Sequence, residues 1–354
     1  MQTNPVLGTL VFLLGGVAAA TYLLPFRAVR GWRYETGWLV NVLVGWLVFP
    51  LVFDAFVIPV SLSSILSQGG WPVFARTFAF GALWGIGALC WALMVRYLGI
   101  GLGLGIGSGI CAATGTILPQ IVTGNAAALV ATKGACIVLA GIAVSLVGIA
   151  LVGAAGRLKE SEMSDEAKRR AVAEFNFTKG LVMAVVAGVA SAGINFGLQG
   201  AQVWEDAAIG CGVSPTWAGM PVLTVVLWGG LFTQVVWVLS ERWRRRNGDG
   251  SRDSAAPHAG LPAHFRNFAL SAAVGVIGVM QFVLQKAGEP LMGDFRYISF
   301  AVLMSGAVFF STLLGVFLGE WKGASRKTIS LLSSGTIVIV AGFTMMSLGG
   351  GYAD

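Results

Sequence analysis

The residues best suited to chemistry in this chain are carboxamides and indoles set within long apolar runs. Asn195 and Gln199 stand four apart, so a helix would put them on one face, and Gln202 follows just beyond. Gln281 and Gln285 repeat that spacing in a later run. A carboxamide both donates and accepts hydrogen bonds, as the hydroxyls of a sugar require. Trp84 and Trp91 are seven apart, again on one helix face, and aromatic faces can stack on the apolar faces of sugar rings. Tyr22, near the end of the first apolar run, and Ser108, inside a glycine-rich run, complete the candidate contacts. The structural alternatives are hydrogen bonding between helices for the amides and interfacial anchoring for the tryptophans. Trp32 and Trp38 look interfacial.

Ion chemistry has two candidates. Glu35, at the mouth of the second apolar run, and Asp54, near its far end, are the carboxylates placed to couple an ion to transport. Pairing with a neighbouring Arg is the plainer reading of Glu35. Glu289 and Asp294 are expected in an outer loop, and Glu320 just past the ninth run. Catalysis finds no support. The histidines, His258 and His264, fall in a polar loop, so neither a Ser/His/Asp set nor a metal cluster can assemble within the apolar runs. The four cysteines lack metal-ligand spacing and read as small packing residues. Glycines crowd 99–109, but a nucleotide-binding loop would need a strand before it. Here an apolar run surrounds them, which predicts a tightly packed helix that can bend. No cofactor or metal is expected.

The elements that must position these groups are transmembrane helices. The chain has 354 residues, 56% hydrophobic and 11% charged, against about 25% charged in a soluble domain. Apolar runs near 5–24, 37–58, 73–95, 100–122, 134–156, 179–200, 217–240, 267–288, 297–318 and 328–348 each approach the length a spanning helix needs. Of the 23 Lys and Arg, 19 fall in the odd-numbered gaps between runs, which predicts that those gaps face the cytoplasm and both termini face outward. The net charge of +7 is spread through these gaps, which argues against a nucleic-acid partner and for membrane lipid.

Five runs precede a charged stretch at 157–178 and five follow it. With an odd number each, the halves must lie in opposite orientation. Gly16 to Ala20 in the first run compares with Gly188 to Ala192 in the sixth, and Arg96-Tyr97 in the fourth with Arg296-Tyr297 in the ninth. The expected organisation is an all-α membrane protein of ten transmembrane helices as two inverted five-helix repeats. These are 1–156 and 179–354, joined by a cytoplasmic linker at 157–178, with a flexible cytoplasmic loop at 241–265.

Several motifs resemble those of the L-rhamnose–proton symporter family. They are Pro25-Phe26 followed by Glu35-Thr36 and Trp38, Phe80-Gly81-Ala82-Leu83-Trp84-Gly85-Ile86-Gly87, and Arg96-Tyr97-Leu98-Gly99. Ser191-Ala192-Gly193, Gln281-Phe282, Tyr297-Ile298-Ser299 and Glu320-Trp321 continue the match in order along nearly the whole chain. The family belongs to the drug/metabolite transporter superfamily. The resemblance implies an importer of L-rhamnose or a related monosaccharide in a bacterial inner membrane, driven by a proton or sodium gradient. An exporter of another small metabolite and a non-transporting membrane sensor are the alternatives.

Overall fold

The structure is a computed structural model that describes residues 3–98, 100–162, 177–247, 261–319 and 321–352. The middle of the expected linker, the centre of the 241–265 loop, Gly99 and Glu320 lie outside the described residues. Among the described residues every regular element is helical. The first half contains α1 (Pro5–Thr21), α2 (Tyr34–Leu43), α3 (Phe49–Val57), α4 (Leu62–Ser67), α5 (Gly70–Leu98), α6 (Ile100–Val122) and α7 (Lys133–Glu162). The second contains α8 (Phe177–Ser191), α9 (Gly193–Gln199), α10 (Gln202–Gly210), α11 (Met220–Asn247), α12 (Leu261–Gly288), α13 (Ser299–Phe317) and α14 (Arg326–Gly351). Among the described residues, nine helical segments are long and apolar enough to cross a membrane. The fourth expected run forms α6, whose apolar part is the shorter helix Ile106–Val122.

Local sequence explains where helices start and where they are interrupted. Asn4 caps α1 by accepting from the Leu7 N–H at 3.1 Å, with Pro5 at the first helical position. Ser325 caps α14 in the same way. The Glu162 carboxylate at the end of α7 accepts from the Ser325 N–H at 2.9 Å and the Thr328 hydroxyl at 2.6 Å, tying the two helices together. Pro50 has no N–H to give to the preceding turn, and a π-helical turn at Val44–Val48 joins α2 to α3 just ahead of it. The sixth expected run, 179–200, is broken at Ala192 into α8 and α9, and beyond Gly200-Ala201 the span continues further than expected as α10.

In lipid, helices attract one another by packing and hydrogen bonds rather than by hiding from water, so close approach matters most. Glycines supply it. A Cβ on Gly16 would come within 2.7 Å of the Gly306 backbone, joining α1 to α13. One on Gly45 would come within 2.6 Å of the Gly275 carbonyl, joining the π turn to α12. One on Gly141 would come within 2.8 Å of the Gly342 carbonyl, joining α7 to α14. Beyond these pairs, α1 also packs on α12, α5 packs on α8 and α11, and α6 packs on α7 and α8. The largest buried cluster lies between them, around Trp46, Trp84, Trp204, Leu223, Phe282 and Phe300.

These contacts generate a test. Gly45→Val forces a side chain against backbone, so it should destabilise the protein by about 1–3 kcal/mol, read as a lower melting temperature in detergent. Gly210→Ala, where an added Cβ meets nothing within 4 Å, should leave that temperature unchanged.

Candidate functional site

The break in the sixth span carries Asn195 on the short helix α9 into the centre of the bundle, where it is buried. Its Nδ2 donates to the Gly115 carbonyl on α6 at 2.9 Å. Gly115 makes that approach possible, because a Cβ there would lie 3.1 Å from Asn195 Nδ2 and 2.6 Å from the Phe300 ring. Asn195 Oδ1 accepts from Gln285 Nε2 on α12, also at 2.9 Å. Gln285 Nε2 further donates to Ser299 Oγ, at the start of α13, at 3.1 Å. Ser299 in turn donates to Glu289 Oε1 at 3.2 Å. Gln285 Oε1 is buried and has no hydrogen-bond partner among the described residues.

This chain ends in charges. Lys286 Nζ donates to Glu289 Oε2 at 2.6 Å and pairs with Glu205 on α10. All three residues are buried. A lone ammonium there would carry a large desolvation cost, and two carboxylates at bonding distance offset it. Neighbouring elements hold the trio in place. Trp204 donates from its indole N–H to the Leu66 carbonyl at 3.0 Å, fixing α10 against α4. Arg76 reaches the Gly200 carbonyl where α9 stops. Gly219 leaves room for the Lys286 stem, which an added Cβ would strike.

The other expected contacts fall into separate groups. Gln199 accepts from Gln120 Nε2 at 3.5 Å, a long bond on the partly buried flank of α9. Gln281 shares a face with Gln285, but its amide bonds back to the Gly278 carbonyl at 2.7 Å. Tyr22 packs over that same turn, since a Cβ on Gly278 would lie 3.1 Å from its ring. Ser108 is buried on α6, two turns before Gly115, and contributes no bond to the Asn195 chain among the described residues. Trp84 is buried against Trp46, with ring centres 4.5 Å apart, and meets Phe282 edge-on at 5.4 Å. The half-buried Trp38 donates from its indole N–H to the buried Gln234 side chain at 2.9 Å.

Asp54 is buried on α3, where Oδ2 accepts from Thr224 at 2.7 Å. Its Oδ1 has no hydrogen-bond partner among the described residues. The carboxyl borders a cavity of about 10 Å³ lined by Phe53, Leu223, Leu227, Val279 and Val283, room for about one water. Glu35 sits half-buried in the first turn of α2.

Three charged residues of this interior escaped the sequence reading. Glu289 was expected in an outer loop but is buried in a 3-10 turn that continues α12, because Lys286 and Ser299 both bond it. Lys286 looks like a charge flanking a span, and Glu205 lies past the sixth apolar run. The readable signal was the spacing of three between Lys286 and Glu289.

The long apolar helices and this buried polar chain define a multi-pass helical membrane protein. It belongs to the L-rhamnose-proton symport protein family, whose model matches residues 1–352. The chain is 35% identical over 350 residues to the L-rhamnose-proton symporter of Cronobacter sakazakii, covering 99% of each. It is 33% identical to the L-rhamnose-proton symporter of Salmonella paratyphi A, with the same coverage.

The amide pair gives a measurable coupling. A double-mutant cycle with Asn195→Ala and Gln285→Ala, followed by unfolding in detergent, should return an interaction of about 0.6 kcal/mol and at most about 1.7. Strict additivity would mean that the two amides do not bond in the membrane-extracted protein.

Proposed function

We propose that the protein imports L-rhamnose or a closely related monosaccharide across a bacterial inner membrane together with a proton. Its family and the names of its relatives support the substrate and the ion. The observation that carries the site is the buried chain from Gly115 through Asn195 and Gln285 to Ser299, which links α6 of the first half to α9, α12 and α13 of the second.

Alternating access between ten helices in two inverted halves is the mechanism this arrangement favours. The helix contacts support it. Moving each span five places onward turns the packing of the first span on the eighth (α1 on α12) into that of the sixth on the third (α8 on α5). It likewise turns α1 on α13 into α8 on α6, and the π-turn span on α12 into α11 on α5. Contacts that exchange in this way are expected of two structurally equivalent halves. The 19 Lys and Arg in the odd-numbered gaps support termini that face outward.

The sugar site in this reading comprises Trp84, Asn195, Gln199, Gln281, Gln285, Tyr22 and Ser108. Amides now bonded to one another would exchange those bonds for sugar hydroxyls when the halves part, which keeps buried polar groups satisfied in both states. Asn195 and Gln285 are buried and bonded to each other, so in this reading the helices part to admit the sugar. Asp54 and Glu35 remain candidates for coupling. Asp54, buried on a span with one oxygen bonded to Thr224, is the better placed of the two.

Liposomes containing purified protein test the function. An inside-alkaline pH gradient should drive labelled L-rhamnose above equilibrium, a protonophore should abolish the accumulation, and a sodium gradient alone should fail to replace it. Asn195→Ala or Gln281→Ala should abolish uptake with the membrane level of the protein unchanged. Normal uptake by both variants would remove these residues from the site.

A further inference from the structure

We infer that Glu205, Lys286 and Glu289 bind the coupling proton and exchange information with the sugar site through Ser299 and Gln285. The inference rests on the proposed rhamnose–proton import and names the ion site within it.

Charge balance is the first argument. Fully ionised, one ammonium and two carboxylates leave a surplus negative charge in a buried setting. One proton on either carboxylate makes the trio neutral, and two carboxylates sharing a site compete to remain ionised. Uptake forms an O–H bond at one carboxylate oxygen and release to water breaks it, so nothing is oxidised or reduced. The other charged groups on the surrounding elements are few. Arg296 and Asp294 lie on the turn before α13, Asp206 on α10 and Arg76 on α5. Arg296 donates to Gln202 at 2.9 Å, and the same Gln202 amide donates to Asp206 at 3.1 Å. Arg296 and Asp206 thus meet on Gln202, and Arg76 is held by the Gly200 carbonyl. Arg296 also lies close enough to act on Glu289, but among the described residues Lys286 alone bonds both carboxylates of the trio.

Connection is the second argument. Glu289 spends one oxygen on Lys286 and the other on Ser299, and Ser299 accepts from Gln285. Gln285 holds Asn195, and its own carbonyl oxygen is buried without a partner among the described residues. That oxygen is an acceptor placed for a ligand hydroxyl. A sugar that draws Gln285 away from Ser299 alters the hydrogen bonds around Glu289, and a proton on Glu289 alters the hydrogen bonds offered to the sugar. Binding at each site therefore shifts affinity at the other by the same factor.

Location is the third. The trio lies at the end of α12 away from the Arg-rich end of α11, where the charge pattern puts the outer face. Its contacts join α10 to α12 and the 3-10 turn that continues it, with Ser299 of α13 beside them, so parting α10 from α12 separates Glu205 from Lys286.

The full chain in liposomes decides the matter, with Glu205→Gln and Glu289→Gln compared with wild type and with Asp54→Asn, which should keep pH-driven accumulation; its loss there, with exchange intact, would move the coupling proton to Asp54 and overturn the inference. Each glutamine leaves one cation and one carboxylate, a permanent mimic of the protonated trio. Labelled L-rhamnose exchange at equal concentrations on both sides should slow in the wild type as pH rises. In the glutamine variants it should persist without responding to pH, and a pH gradient should drive no accumulation above equilibrium. Two substitutions guard against one of them failing to fold. With wild-type exchange intact, accumulation by either glutamine variant overturns the inference, as does loss of exchange in both. Absence of L-rhamnose exchange by the wild type defeats the import reading and the inference with it.

Discussion

An ammonium group carried into a protein interior must meet opposite charge there, and Lys286 meets it twice. Its position between Glu205 and Glu289 sets conditions that much of the surrounding structure fulfils. The sixth span must stop and restart so that α10 can present Glu205. Residue 219 must lack a side chain so that the lysine stem can pass. The chain beyond α12 must turn at once, in a 3-10 helix, to return Glu289 to the same nitrogen. Each condition would be unfavourable alone, and together they replace water around a buried charge.

The glycines solve the complementary problem of holding apolar helices together in lipid. Pairs such as Gly16 with Gly306 and Gly45 with Gly275 bring backbones close enough for extensive van der Waals contact. Such contacts are made by backbone rather than by interlocking side chains. The Gly141–Gly342 contact joins α7 to α14, whose ends are further tied by Glu162, Ser325 and Thr328. That pair thus has both a packed seam and a polar clasp, whereas the Asn195–Gln285 region is joined by side-chain hydrogen bonds.

Departures from regular helix coincide with the polar interior. The π turn before Pro50 precedes the helix that buries Asp54, and the breaks at Ala192 and Gly200 frame the helix that buries Asn195. A broken helix within a membrane protein is tolerated where its backbone groups find partners inside, as the Gly200 carbonyl finds Arg76. Local irregularity of this kind is expected at functional positions.

By itself the sequence determined the helical class, because long runs with so few charges can form little else in a bilayer, and it identified the family through short motifs in a fixed order. It also singled out Asn195, Gln285 and Asp54, since a polar side chain within an apolar run stands out wherever the run is placed. Tertiary structure alone decided that Asn195 meets Gln285 across 90 residues, that Trp84 meets Trp46, and that Lys286 reaches Glu205. Helical periodicity reports which residues share one face of one helix, and it is silent on which faces meet. A charge at the end of an apolar run reads the same whether it faces lipid headgroups or another helix. That is why Gln281 and Gln285, alike in spacing, part company: packing sends one back to its own backbone and the other into the buried chain.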